Sequence, residues 1–312
     1  MAKTSSSKRR PPAPRPPARG GRPAGLFTWL AVGLVVVVVA ALVIIKVASG
    51  GSPNNSNSSA FQPTDATTVT ELTNVPASVF NTVATSSPAA PVKPPQVLKG
   101  QPALTATNAS GKKVPEILYI GAEYCPFCAA QRWATIVALS RFGTWTGLGN
   151  MSSSSTDYAP NTPTFTLVKA KFTSSYLVFK GVEEYTNIPD AATSFYTTLQ
   201  KPTTQETALI SKYDTPKYVK GMTTSQIGSI PFITFSNKFL VSGASFSPTA
   251  LTGLTRSNIA AGLSNASSPV TQAIIASANY QTAVICSITG QQPGNVCASP
   301  GVKAADKAMG LK

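Results

Sequence analysis

The sequence predicts an α/β fold, and three observations support this prediction. Residues 117–120 form a short apolar run that is typical of a buried strand. The motif Cys125-Pro126-Phe127-Cys128 follows it, and apolar residues then recur at helical spacing from 129 to 142. A second apolar stretch, residues 230–235, predicts another strand much later in the chain. This alternation of strand, helix and strand is typical of an α/β domain.

The N-terminal region predicts a membrane anchor. Residues 1–23 carry seven basic residues and no acidic one, and residues 24–45 carry no charge. A helix over 24–47 rises about 1.5 Å per residue, enough to cross a hydrocarbon core of about 30 Å. The positive-inside rule then predicts a single-pass protein of the cell membrane, with 1–23 cytoplasmic and the remainder extracytoplasmic. A cleaved signal peptide is the alternative, although its apolar run is usually shorter.

The net charge of +15 does not indicate a nucleic-acid partner. After the basic N-terminus, 19 basic residues face 11 acidic ones without a long cationic run. The lipid bilayer around 24–47 therefore explains the basic N-terminus, and we expect no nucleic acid to bind. The chain has no histidine, which excludes Cys-His and Ser-His nucleophile pairs and any zinc site that needs imidazole.

Composition divides the extracytoplasmic part into three segments. Residues 48–100 are rich in Ser, Asn and Pro and predict a flexible linker, with one short helix over 75–83. Residues 101–298 form the predicted folded domain. Residues 299–312 are predicted to be a disordered tail.

Local patterns within the domain predict further elements. Thr203 and Glu206 have the spacing of a capping box before an apolar run. Asp190 can cap a helix that runs to residue 199. Strands are predicted at 114–120, 165–171, 176–180, 229–235 and 239–241, and helices at 248–263 and 269–288.

The two motifs together carry a resemblance. Residues 121–128 resemble the active-site segment of the thioredoxin-like superfamily, and Ile230-Pro231 resembles its cis-proline loop. The resemblance implies that Pro231 lies against the C-x-x-C motif and that the backbone before it pairs with a bound peptide. The long separation of Cys128 from Pro231 implies a large insertion between the C-x-x-C helix and the cis-Pro strand.

A closer resemblance is to a membrane-anchored family, domain of unknown function family 929. It rests on residues 121–143, 230–239 and 285–297. This resemblance implies a family but no substrate.

The chemistry of the motif assigns roles to its residues. A thiol at a helix N-terminus is favoured as thiolate, the form that attacks disulfides. We therefore expect Cys125 to be the exposed nucleophile and Cys128 the buried resolving thiol. Glu123 is a candidate proton acceptor for Cys128, with a solvated carboxylate at the strand end as the alternative. Pro231 completes the predicted catalytic set.

Four further residues are predicted to line the substrate groove. Pro126 removes one N–H and rigidifies the first helical turn. Phe127 offers an apolar surface, and Tyr124 is expected at the rim. Ile230 precedes the cis-proline and is expected to contact a peptide.

These residues predict a thiol–disulfide oxidoreductase that acts on exported protein thiols or disulfides. No cofactor is expected, because the cysteine pair carries both electrons, and no metal site is expected. A membrane quinone-linked oxidase or a reductant donor is the expected redox partner. The main alternative is a redox-silent peptide-binding or assembly module, and a weaker one is a four-cysteine metal protein.

Cys286 and Cys297 form a second pair of cysteines. Two nearby cysteines in an oxidising compartment most often form a structural disulfide. The alternative is a relay that exchanges with Cys125 and passes electrons to a membrane partner. The sequence leaves both open.

Overall fold

A computed structural model describes residues 61–311. The predicted cytoplasmic segment 1–23 and the predicted transmembrane helix 24–47 lie outside these residues. Within 61–311, no helix combines the length and apolar character needed to span a bilayer.

The described residues form a mixed α/β structure, as the sequence predicts. The α-helices are α1 (Ala66–Thr73), α2 (Ala77–Val83), α3 (Pro126–Leu139), α4 (Thr204–Tyr213), α5 (Arg256–Gly262), α6 (Pro269–Ile288), α7 (Gly294–Cys297) and α8 (Pro300–Met309). The strands are β1 (Gln96–Val97), β2 (Thr105–Thr107), β3 (Lys113–Gly121), β4 (Thr144–Thr146), β5 (Gly149–Ser152), β6 (Pro163–Thr166), β7 (Lys171–Thr173), β8 (Val178–Glu183), β9 (Tyr185–Asp190), β10 (Phe195–Thr198), β11 (Phe232–Phe235) and β12 (Phe239–Ser242).

A mixed six-stranded sheet is built around β3. Strand β11 pairs with β3 in antiparallel register, with Phe232 opposite Ile120, and β12 and β1 follow beyond it. Strand β8 pairs with β3 in parallel, with Glu183 opposite Gly121. Strand β2 pairs with the first residues of β3. The end of β3 is therefore flanked by the start of β11 and the end of β8.

Alternate side chains of β3 enter two different cores. Ile117 and Tyr119 belong to a large core that also contains the buried faces of α3 and α6. Leu118 and Ile120 belong to a smaller core that contains Tyr213 at the end of α4. Successive strand residues point to opposite faces of a sheet, so a strand covered on both faces appears in the sequence as a continuous apolar run.

Several local predictions are confirmed. The Thr203 N–H donates to Glu206 Oε2 at 2.7 Å and the Glu206 N–H donates to Thr203 Oγ1 at 3.3 Å, which makes the predicted capping box of α4. The strands predicted at 229–235 and 239–241 correspond to β11 and β12, which pair as an antiparallel hairpin. Helix α6 spans 269–288, as predicted.

The helix predicted over 190–199 is wrong, because β9 and β10 form a hairpin there. Asp190 accepts hydrogen bonds from the Ala192 N–H and the Thr193 hydroxyl, which makes a turn instead of a helix cap. Aromatic and β-branched residues then favour the returning strand, 195–198. The helix predicted over 248–263 is divided into a 3₁₀ turn, Pro248–Leu251, and α5, because Gly253 takes a φ of +76°.

The short helix predicted over 75–83 is confirmed by α2. The rest of the predicted linker and the predicted tail are wrong where the structure describes helices, because residues 66–73 form α1 and residues 300–309 form α8. Phe80 of α2 and Val302 of α8 are buried in the large core beside α6. A Cβ at Gly301 would collide with the carbonyl oxygen of Phe80, so glycine permits this close approach. These segments are mostly polar in composition, so their few apolar side chains did not indicate helices packed on the core.

Cys286 and Cys297 are joined by a disulfide whose two residues are buried. We predict that Cys286→Ala/Cys297→Ala lowers the free energy of unfolding by about 3 kcal/mol, since the bond closes a short loop in the unfolded chain. Chemical denaturation of the variant and the wild-type protein measures this difference. An unchanged denaturation midpoint would contradict a structural role for the disulfide.

Candidate functional site

The strand pairing places the two motifs side by side. Strand β3 ends at Gly121, three loop residues follow, and Cys125 is the N-cap of α3. Strand β11 begins at Phe232, opposite Ile120, so the residues just before it lie beside that loop. The Ile230–Pro231 peptide bond is cis, and the Cys125 Sγ lies 3.9 Å from the Ile230 carbonyl oxygen.

The Cys125 sulfur occupies the position of a helix cap. It accepts a hydrogen bond from the Cys128 N–H at 3.2 Å, and Pro126 fills the first helical position. The hydrogen bonds from Cys128 to this sulfur lower the pKa of Cys125, and the nearby Arg132 charge lowers it further. Both cysteines are free thiols. The thiolate of Cys125 is therefore stabilised relative to that of an ordinary cysteine, although burial acts against it.

Cys128 lies in the opposite environment. It is fully buried, and desolvation raises its pKa well above the ordinary value. The pair thus combines one thiol favoured as thiolate with one favoured as neutral thiol. This division is the one expected of an attacking and a resolving cysteine.

Cys125 is less accessible than predicted. It was expected to be exposed, yet only 5% of its surface is accessible, because the Ile230 carbonyl lies against its sulfur. Phe127 is 39% exposed and Ile230 is half-buried, so the surface over the sulfur is largely apolar. A reacting partner must therefore approach closely over these side chains.

A buried ion pair lies next to the cysteines, and sequence reasoning missed it. Arg132 of α3 donates through Nε to Glu183 Oε1 at 2.8 Å and through Nη2 to Glu183 Oε2 at 2.6 Å. The same Nη2 donates to the Ala122 carbonyl at 2.7 Å, in the loop that leads to Cys125. Both charged side chains are completely buried. The available signal was Arg132, one turn after Cys128, on a helix with no other charged residue.

Tyr119 adds a second buried polar group. Its ring lies 5.9 Å from the Arg132 guanidinium carbon, and within the described residues its hydroxyl has no hydrogen-bond partner. A Cβ at Gly121 would overlap this hydroxyl, which explains the glycine at the end of β3. Desolvation raises the pKa of Tyr119, so the hydroxyl stays protonated.

Glu123 is a buried carboxyl that lines a cavity of about 100 Å³ together with Phe61, Thr166 and Asn187. Desolvation raises the pKa of Glu123 to about 7, and the charges that shift it are those of Glu183 and Arg132. Proton transfer to Cys128 through this carboxyl stays a prediction.

Aromatic side chains form the rim on both sides of the motif. Tyr124 is half-buried and stacks on Tyr196 with ring centroids 4.2 Å apart. Phe127 stacks on Tyr158 at 5.8 Å. Tyr158 and Tyr196 are distant in sequence from the motif, and the sequence analysis did not single them out. Within residues 61–311, no cluster of three or more Cys, Asp or Glu side chains could hold a metal ion.

We predict opposite effects for the two members of the ion pair. Arg132→Met removes the positive charge and should raise the pKa of Cys125, whereas Glu183→Gln leaves that charge uncompensated and should lower it. Each single variant should lose about 3–5 kcal/mol of stability, because it leaves a buried charge unpaired. Cys125 alkylation rates against pH, together with denaturation curves, measure both effects.

The double variant Arg132→Met/Glu183→Gln is the control for that experiment. It should recover much of the stability while keeping the raised pKa of Cys125. Shifts of the same sign in both single variants would show that unfolding, and not charge, moves the pKa.

We also predict that Glu123 makes the stability pH-dependent. The folded protein holds its proton up to about pH 7, whereas the unfolded chain releases it near 4.5. Between these two pKa values the folded state binds more protons than the unfolded chain. The free energy of unfolding therefore falls as the pH rises from 4.5 through about 7, by on the order of 3 kcal/mol. Glu123→Gln should remove this dependence in denaturation curves. If the free energy of unfolding changed with pH in the same way for wild type and Glu123→Gln, this prediction would be contradicted.

Comparison with known proteins identifies a family. The model of the domain of unknown function DUF929 matches residues 103–287, more than half of the chain. No curated protein and no solved structure matches the chain. The matched region contains Cys125, Cys128 and Pro231. The chain therefore belongs to the DUF929 family.

Proposed function

We propose that the protein is a thiol–disulfide oxidoreductase of thioredoxin-like fold. The observation that carries this proposal is the position of the Cys125 sulfur, which accepts the Cys128 N–H and lies against the Ile230 carbonyl. The β3–α3 unit between parallel β8 and antiparallel β11 supports the fold assignment. In this fold β8 belongs to the central sheet, and the other elements between α3 and β11, six strands and α4, form the insertion.

The proposed reaction is a two-step exchange. The Cys125 thiolate attacks one sulfur of a substrate disulfide, and the other sulfur leaves with the electron pair as a thiolate. Cys128 then loses its proton and attacks the Cys125 sulfur, which releases the second substrate thiolate. The protein ends with a Cys125–Cys128 disulfide and the substrate has gained two electrons. The reverse sequence oxidises a substrate dithiol.

The proposed setting follows from the N-terminal sequence. Residues 24–47 hold the protein in the cell membrane, and the folded part acts on exported protein thiols or disulfides. A membrane quinone-linked oxidase or a reductant donor regenerates the cysteine pair. The small exposure of Cys125 favours the second candidate function, a redox-silent module that binds peptides in the Pro231 groove.

We predict that full-length protein in detergent accelerates the reduction of insulin disulfides by dithiothreitol and that Cys125→Ser abolishes this activity. Cys128→Ser should accumulate a mixed disulfide through Cys125, because the resolving thiol is missing. Insulin precipitation and non-reducing electrophoresis measure the two effects.

Cys286→Ala/Cys297→Ala is the matched control, since it also removes two sulfurs. It should keep the activity at a temperature where it is folded. Loss of activity in this folded control would favour the relay. Equal activity of wild type and Cys125→Ser would contradict the oxidoreductase proposal and favour the peptide-binding module.

A further inference from the structure

A cavity of about 250 Å³ lies beside the cysteine motif. Its wall includes Lys93, Phe127, Lys220, Ser229, Ser242 and Gly243. Phe127 is the second residue after Cys125, and Ser229 precedes Ile230, whose carbonyl contacts the Cys125 sulfur. The cavity therefore borders both segments that hold the Cys125 sulfur, the first turn of α3 and the residue before Ile230.

The wall of this cavity is basic. Lys93 and Lys220 line it, and no acidic residue does. Neither lysine forms an ion pair with a carboxylate among residues 61–311. Lysine stems pack along a cavity wall while their ammonium groups stay at its mouth. Two uncompensated cations thus border the approach to Cys125.

Backbone hydrogen bonds hold both lysines at this place. The Lys93 N–H donates to the Ser245 carbonyl at 2.8 Å, and the Lys220 N–H donates to Gln96 Oε1 at 2.7 Å. Asp214 lies behind Ser229 and Ser242 and does not line the cavity. Asp214 is itself buried, and desolvation raises the pKa of its carboxyl. The charge that an incoming chain meets is positive.

We propose that this cavity binds an acidic side chain of the substrate polypeptide, close in sequence to the cysteine whose sulfur reacts with Cys125. The inference rests on the proposed oxidoreductase function and adds its substrate class, which is a cysteine flanked by Asp or Glu. Phe127 and Ser229 line the cavity, and they are neighbours in the chain of Cys125 and Ile230, so the acidic side chain and the reacting sulfur are bound together.

A set of three short peptides tests this proposal. Each has one cysteine carried as a mixed disulfide with 2-thiopyridine, a substituent that adds no charge to the peptide. The residues two positions before and after the cysteine are aspartate, asparagine or lysine. The Cys125 thiolate attacks the peptide sulfur, the S–S bond breaks, and pyridine-2-thiolate leaves and takes a proton from water. Cys128 then displaces the peptide thiolate, which forms the Cys125–Cys128 disulfide.

The rate constant for pyridinethione release by reduced full-length protein is measured for each peptide. We expect the aspartate peptide to react about fivefold faster than the asparagine peptide at low salt, which is the size of two partly exposed ion pairs. The lysine peptide should react most slowly. The differences should shrink as salt increases.

Lys93→Gln/Lys220→Gln should abolish the preference for aspartate. Lys112→Gln/Lys113→Gln is the matched control, because it removes two exposed lysines at the opposite end of β3, about 30 Å away. The control should keep the preference.

Two outcomes separate this inference from the proposed function. Equal rates for the aspartate and asparagine peptides, or equal loss of preference in the two double variants, would overturn the acidic-substrate site while oxidoreductase activity stands. Absence of Cys125-dependent pyridinethione release from every peptide would overturn both.

Discussion

The pairing of β11 with the end of β3 is the constraint on which the site depends. Phe232 lies opposite Ile120, so the chain leaves one strand toward Cys125 and enters the other directly from Pro231. Both strands are buried on both faces, which fixes the register, because a slip of one residue would exchange their two sets of side chains. The contact between the Cys125 sulfur and the Ile230 carbonyl follows from that register.

The Arg132–Glu183 pair joins the other side of the site to the sheet. Glu183 is held opposite Gly121 by the parallel pairing of β8, and Arg132 reaches it from α3 while also binding the Ala122 carbonyl. Burying two charges costs several kcal/mol per ion, which ion pairing often does not fully recover. A pair of apolar side chains would hold α3 to β8 at less cost. A fixed positive charge near the thiols is what the ion pair adds.

Elements defined by neighbouring residues could be predicted from the sequence, whereas contacts between residues far apart in the chain could not. The strand before Cys125, the capping box at Thr203 and helix 269–288 follow from signals within a few residues. Arg132 and Glu183 are 51 positions apart, and nothing local pairs them. The unpredicted helices α1 and α8 depend on a few apolar side chains that are buried only by packing against distant parts of the chain, α1 on α3 and α5, and α8 on α2 and α6. The hairpin at 185–198 was missed because an Asp turn and an Asp helix cap look alike in a sequence.

The distribution of charge around the thiols bears on the direction of the proposed electron transfer. The Cys128 N–H and Arg132 both stabilise the thiolate of Cys125, which exists only in the reduced protein. Stabilising the reduced form raises the reduction potential and favours oxidation of substrates. Burial of Cys128 has a different effect. Its raised pKa keeps the thiol neutral in the reduced protein, so no charge is desolvated there. The stabilised thiolate of Cys125 favours the reduced pair and burial of Cys128 does not oppose it, so within the proposed function the geometry supports a protein that accepts electrons from substrate thiols.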